Sequence, residues 1–458
     1  MPPSKLDACL TYIDQLAQTV EFAVGRIKEQ NEWHPELERV EQRVCSKFEY
    51  NVDHQGPSGY ETKETLEEDW SIATSRVTFA VLKDPTAPET RLAELGGSDY
   101  HASMALQSLI RKIGARFIPG HENALQNEAI AELLLEDLNG IAPTQKIEAK
   151  AYGLVVLTEP IQLEVPGGQV TLSAVTREMF EAPRRVSRYT PRPLEFDFAP
   201  GTITIRLTTL TPSDVQRTLE KVKVALALFT VCNVDVREYS MSSSGLVSFG
   251  GTMWGGRSLT QKRPLILTSA NAARLRIFWK QVWAEIPLDA FSRTSESSTT
   301  VALSRYIEAC SEPRSSEYNL ATTMMGLESL FTEGTPEISY RLRQRVSCVL
   351  SCLGFNGSAV HAVVAEGYKI RSILVHGGSV TYKERRRVEN SYGGLDNLLA
   401  HNLHVLRIAI LFALQSRMEK DYFLDLVDEA MFDAKKRDQM AGRLGQFEKS
   451  LGVAHSFS

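Results

Sequence analysis

The spacing of apolar positions changes character along the chain. Residues 5–30 (KLDACLTYIDQLAQTVEFAVGRIKEQ) and 35–48 read as helices, and 49–66 (EYNVDHQGPSGYETKETL) as a polar connection. Two more helical patterns lie within 100–139. From about 148 to 270 the pattern becomes β-branched and broken by turn residues, as in AYGLVVLTEPIQLEV, GQVTLSAVTREMF, LEFDFAPGTITIRLTTL and NVDVREYSM. These segments are predicted as strands. One helix is inserted among them at about 212–231, with Thr211 as N-cap and Pro212 at its first position.

Residues 292–300 (SRTSESSTT) are small and polar, and are expected to link two parts of the chain. Beyond them the helical period dominates, over about 300–311, 317–332, 336–353, 358–376, 393–418 and 421–449. The fold class is thus a mixed α+β amino-terminal region (1–291), a linker (292–300) and an all-α helical bundle with a carboxy-terminal helical extension (301–458).

Composition changes this picture little. The hydrophobic share of 43% and charged share of 23% over 458 residues suit more than one globular core. A net charge of −5 gives no global attraction for nucleic acid, so any such site must be local. The run LHVLRIAILFALQS is interrupted by Arg407 and is short for a membrane span. No amino-terminal apolar leader is apparent, and the expected location is the cytoplasm. The six cysteines form no C-x-x-C pair; Cys348 and Cys352 fall on one helical face and are read as buried structural thiols.

Two stretches imitate known chemistry. GTMWGGRS (251–258) approaches a phosphate loop, but Arg257 stands where lysine is needed and a proline-bearing β pattern follows. His401 and His404 sit three apart, with no obvious third ligand. Neither is assigned a ligand, and no metal or cofactor is implied.

The chemically unusual stretch is GYKIRSILVHGG (367–378). On a helix, Val360, Val363, Val364, Gly367, Ile370 and Leu374 make one apolar stripe, and Arg371 falls about 20° from Val360, inside it. A guanidinium there needs an acidic partner, a phosphate or a polar cavity. His376 lies at about 160°, on the opposite side. Gly377 and Gly378 suit a helix end, where the imidazole can bend toward Arg371. Lys369, Arg371, Lys383, Arg385, Arg386 and Arg387 face Glu384 alone, a local balance of +5. TYKERRRVENS is read as a mobile loop able to hold a polyanion.

YKIRSILVHG resembles the R-x(4–6)-H signature of HEPN domains, with Arg371 and His376 as the pair. MMGLESLF (324–331) and ISYRLRQRVSCVLS (338–351) are similar to earlier helices of the Apea-like HEPN subfamily of bacterial abortive-infection proteins. The likeness covers about 299–420. It implies a metal-independent endoribonuclease in which Arg371 stabilises phosphorane charge and His376 moves protons. One histidine does not readily serve as base and acid in one step, so two copies facing each other, a homodimer, are implied. Lys369, Lys383, Arg385, Arg386 and Arg387 are the candidate RNA contacts, the RNA being tRNA or mRNA. The amino-terminal region is then a candidate sensor of a phage-derived trigger.

Many active members carry Asn, Asp or His directly after the arginine, and this chain has Ser372. Serine can bond a phosphate but cannot replace an acid, so a non-catalytic RNA- or nucleotide-binding module is the alternative. Glu328 is a candidate partner for Arg371, positioning it or simply neutralising it. Tyr368 flanks the pair as packing or as an RNA contact. Arg341, Arg343 and Arg345 are read as solvated or structural, with Arg345 best matching the family pattern.

Overall fold

The computed structural model describes residues 4–45, 60–83, 88–96, 102–121, 124–181, 184–186, 201–209, 212–246, 252–254, 263–287, 297–311, 314–333 and 337–451. Its amino-terminal part is α+β and its carboxy-terminal part helical. The first core is built by α1 (Lys5–Glu29), α2 (Ser71–Leu82), α3 (Pro88–Gly96), α4 (Ala102–Gly114) and α5 (Asn127–Leu138). Ser4 and Asp7 close a capping box at the start of α1, and Ile13, Leu16, Val20 and Val24 form its buried face.

Residues 36–45 form not a helix but a strand, β1 (Glu36–Cys45). It pairs along its whole length with β2 (Tyr60–Asp69), within the stretch expected to be a connection. Valine and leucine in this segment satisfy a helical period, but pairing over ten residues outweighs so weak a local preference. Only Val40 and Cys45 are buried, while Leu37 is exposed, and Arg39 bonds Glu64 across the ladder. Residues 46–59 lie outside the described residues.

The principal sheet has six antiparallel strands in the order β10-β9-β3-β8-β6-β5. They are β3 (Thr144–Tyr152), β5 (Ile161–Val165), β6 (Gly168–Ala174), β8 (Gly201–Thr208), β9 (Asp235–Ser243) and β10 (Thr252–Trp254). Alternation sets one face: Ile147 opposes Ile205, Ala149 opposes Ile203, and Leu172 opposes Ile161. That face is covered by α7 (Pro212–Phe229) and α8 (Ser269–Val282). A short parallel pair, β4 (Leu154–Val156) with β11 (Leu265–Leu267), and a strand β7 (Arg184–Val186) on β1 complete the strands among the described residues, and α6 (Arg177–Glu181) packs beside β1. Thr211 and most of the glycine-rich GTMWGGRS lie outside the described residues; 252–254 of the latter form β10.

The helical part comprises α9 (Ser298–Ser311), α10 (Ser316–Phe331), α11 (Ile338–Cys352), α12 (Gly357–Val375), α13 (Tyr382–Tyr392), α14 (Leu395–Ser416), α15 (Lys420–Phe432) and α16 (Ala434–Leu451). Two expectations are corrected here. Residues 298–300 are the first turn of α9, capped by Ser297, so the tail of the expected linker is helix; 292–296 lie outside the described residues. The segment read as a mobile loop is the helix α13. Thr381 and Glu384 form a capping box at its start, and Gly393, at φ 70°, ends it.

One continuous core joins the sheet to the bundle. Tyr306 Oη donates to Ala227 O at 2.6 Å. Arg407, buried in α14, donates to Leu228 O and Phe229 O at 2.8 and 2.9 Å, serving the free carbonyls at the end of α7. At 22 residues α14 is long and apolar enough to cross a membrane, contrary to the shorter run read from sequence, but 72% of its apolar window is buried inside the protein.

The bundle packs closely at glycines. A Cβ on Gly367 of α12 would stand 2.9 Å from Asn402 Oδ1 of α14. Asn402 is fully buried and held by Val363 O and Leu398 O, so it yields poorly. Gly367→Ala is expected to cost about 1–3 kcal/mol as overpacking; a urea melt overlaying the parent would contradict this.

Candidate functional site

The apolar stripe of α12 forms as its spacing predicts: Val360, Val363, Val364, Gly367 and Ile370 are buried. Asn356 caps its start by accepting from Ala359 N. At its end Gly377 N donates to Leu374 O at 3.0 Å and Gly378 N to Ile373 O at 2.9 Å, with Gly377 at φ 76°. This is the Schellman arrangement that the two glycines imply. His376 is the C-cap residue, and its side chain is exposed and makes no hydrogen bond with the described residues.

Arg371 turns inward. Its guanidinium bonds Glu328 of α10, Nη2 to Oε2, at 2.9 Å, and lies 5.5 Å from the centre of the Tyr368 ring. The side chains of Arg371 and Glu328 are 20% and 16% exposed, so most of this charge pair is withdrawn from water. Burial raises the Glu328 carboxyl above the usual carboxylate range, and Arg371 pulls it partly back. Arg371 Nε and Glu328 Oε1 are buried with no hydrogen-bond partner among the described residues, leaving the pair incompletely satisfied. Ser372 is half-buried beside the arginine, and its carbonyl accepts from His376 N. The arginine is therefore pre-oriented by Glu328 and Tyr368, while the histidine faces solvent at the end of the same helix.

The cations of α13 divide into two sets. Arg385 pairs with the buried Glu317 of α10 at 2.5 Å, and Arg387 grips Glu366 of α12 through Nε and Nη2. Those two pairs tie α13 to the bundle, although the Arg385 side chain stays 55% exposed. Lys383 and Arg386 are exposed and have no carboxylate partner among the described residues. With Arg387, Tyr382, Asn390 and Ser391 they line an open hollow of about 500 Å³. Lys383, Arg386 and Asn390 recur at three and seven positions, hence on one helical face. Lys369 is exposed on α12, near enough to Glu384 to help hold that carboxyl low, although the capping bonds from Thr381 dominate.

Glu317 and Glu366 were absent from the sequence reading. The T-x-x-E pattern at 381–384 and the Gly393–Gly394 stop would have shown the helix, but not which carboxylates its arginines meet. Arg345 is structural: it holds Asp428 of α15 with two bonds, 2.8 and 2.6 Å, and donates to Phe331 O at the end of α10. Arg343 bonds Ser339 O within its own helix, and Arg341 is exposed. His404 contacts Arg407 and the Phe355 ring, and His401 packs on Tyr392; no cluster of three metal-ligating side chains occurs among the described residues. Cys348 and Cys352 are free and half-buried rather than buried.

Chemically, the end of α12 offers an oriented guanidinium and an exposed imidazole, next to a cationic helix face. That set suits a phosphodiester: arginine for anionic oxygens, histidine for proton transfer, lysine and arginine for the flanking backbone. No known protein family, curated protein or solved structure matches the chain.

Proposed function

We propose that the helical part is a metal-independent endoribonuclease of the HEPN type, acting in cytoplasmic anti-phage abortive infection. The observation that carries this reading is the division of labour on α12. Arg371 is held in place by Glu328 and Tyr368, and His376 stands free at the helix end. In the proposed reaction the 2′-hydroxyl attacks the adjacent phosphorus and the bond to the leaving 5′-oxygen breaks. A 2′,3′-cyclic phosphate and a 5′-hydroxyl result. Arg371 faces the developing phosphorane charge. One His376 accepts the 2′-proton and a second copy protonates the leaving oxygen, so the active unit is a homodimer. Lys369, Lys383 and Arg386 hold the flanking RNA backbone, a tRNA or an mRNA. The amino-terminal region senses a phage-derived trigger and gates the bundle, with which its sheet shares one core.

The alternative is an RNA- or nucleotide-binding module without catalysis. It is favoured by Ser372 after the arginine, and by the engagement of Arg371 with Glu328, which suffices to explain a buried guanidinium. The test is RNA end-mapping after induced expression, with purified protein assayed in EDTA. New 2′,3′-cyclic phosphate ends, undiminished by chelation, are expected. Salt-sensitive RNA binding with intact RNA, with and without phage, would favour the binding module instead.

A further inference from the structure

Away from the bundle, a cavity of about 260 Å³ opens between the β5–β6 turn, the end of β8, the first half of α7 and Trp283. Lys221 of α7 lines it and is 7% exposed. Its ammonium group lies 4.7 Å from the centre of the Trp283 ring. Trp283 is held from its other neighbour, Trp279, by stacking at 4.5 Å, and Trp279 Nε1 donates to Glu164 O.

Among the described residues, Lys221 Nζ has no hydrogen-bond acceptor and no ion-pair partner. The nearby carboxylates are taken. Asp214 accepts from Thr209 Oγ1 at 2.9 Å and pairs with Arg217, and Glu285 is gripped by Arg417. A cation–π contact offsets only part of the cost of desolvating an ammonium, and its three N–H donors have no acceptor among the described residues. An acceptor inside the cavity would serve them.

The lining also limits what that acceptor is. Lys221 and Arg217 against Asp214 leave one net positive charge. A single negative charge balances it, whereas a phosphate monoester carries about −1.5 to −2. Pro166, Leu207 and Trp283 supply an apolar wall, and the volume falls below the about 300–1,000 Å³ usual for drug-sized ligands.

We infer that this cavity binds a small monocarboxylate, its carboxylate on Lys221 Nζ and its apolar body against Pro166, Leu207 and Trp283. The site does not depend on the nuclease reading. The test uses the full chain and 4-fluorobenzoate as probe, followed by fluorine NMR, with neutral 4-fluorobenzamide and inorganic phosphate as further arms. Saturable binding of the acid is expected, weakened about tenfold or more in Lys221→Met and for the amide, because a charge-assisted bond is lost. Lys221→Arg, which keeps the charge, is expected to retain binding better than Lys221→Met. The proposal is overturned if the acid does not saturate, if acid and amide bind alike, if Lys221→Met binds as the parent does, or if phosphate displaces the acid at lower concentration than benzoate does. Should Lys221→Met fail to fold, the acid–amide comparison on the parent protein decides.

Discussion

In the proposed reaction, His376→Ala is expected to slow RNA cleavage strongly while leaving the protein folded. The loss should be about 100- to 10,000-fold, the usual contribution of a positioned acid or base. The side chain is exposed and without a partner among the described residues, and the turn it caps is closed by the backbone of Gly377 and Gly378. Its removal should therefore change stability by no more than about 0.5 kcal/mol. Paired measurements of cleavage rate and urea midpoint test this. Unchanged cleavage in the variant would exclude His376 from the chemistry, and a large stability loss would make the activity result uninformative. This substitution separates catalysis from folding better than any change at Arg371.

Arg371→Ala is expected to cost about 3 kcal/mol of stability, because it strands the largely buried Glu328 carboxylate. The cost should depend on pH. Glu328 already titrates above its usual range through burial, with Arg371 pulling it back. Without the arginine its folded-state pKa rises further. A carboxyl with a raised folded pKa gives its stabilising contribution at low pH and loses it as pH rises through that pKa. The deficit of the variant should thus be largest near pH 8 and shrink toward pH 5. The double change Arg371→Met, Glu328→Leu removes both charges and should recover most of the loss. Urea melts at both pH values check each point; a deficit below about 1 kcal/mol with no pH dependence would show that the pair carries little energy. Loss of cleavage in Arg371→Ala is interpretable only beside the double variant's melt.

Local signals in the sequence account for α12 and its end. The stripe from Val360 to Ile370, the anomalous Arg371 within it and the stop at Gly377–Gly378 all depend on interactions within one or two helical turns. Such interactions are encoded by neighbours a few positions apart, so they are legible without a fold. The same is true of the capping box that makes 382–392 a helix, although its run of arginines concealed it as a loop. Resemblance to HEPN domains suggests a joint task for Arg371 and His376, while Glu328, which holds Arg371, comes from elsewhere in the chain.

What the tertiary structure decided is what brings distant residues together. Residues 36–45 carry a weak helical spacing and became a strand because 60–69 lies alongside. Glu328 meets Arg371 from 43 positions away. Arg385 and Arg387 look like free RNA contacts in sequence, yet Glu317 and Glu366 pair with them, leaving Lys383 and Arg386 as the two without a carboxylate partner among the described residues. Lys221 reads as one more polar position on an amphipathic helix until Trp283 and the end of β8 close a cavity around it. The physical reason is the same in each case. A helix and its caps are set by short-range hydrogen bonds and periodic burial, whereas strand pairing, ion pairing and the desolvation of a charge depend on which distant surfaces share a core. The sequence by itself determined that a helix carrying Arg371 ends at His376; the packing alone determined which charges of α12 and α13 are free to meet a ligand.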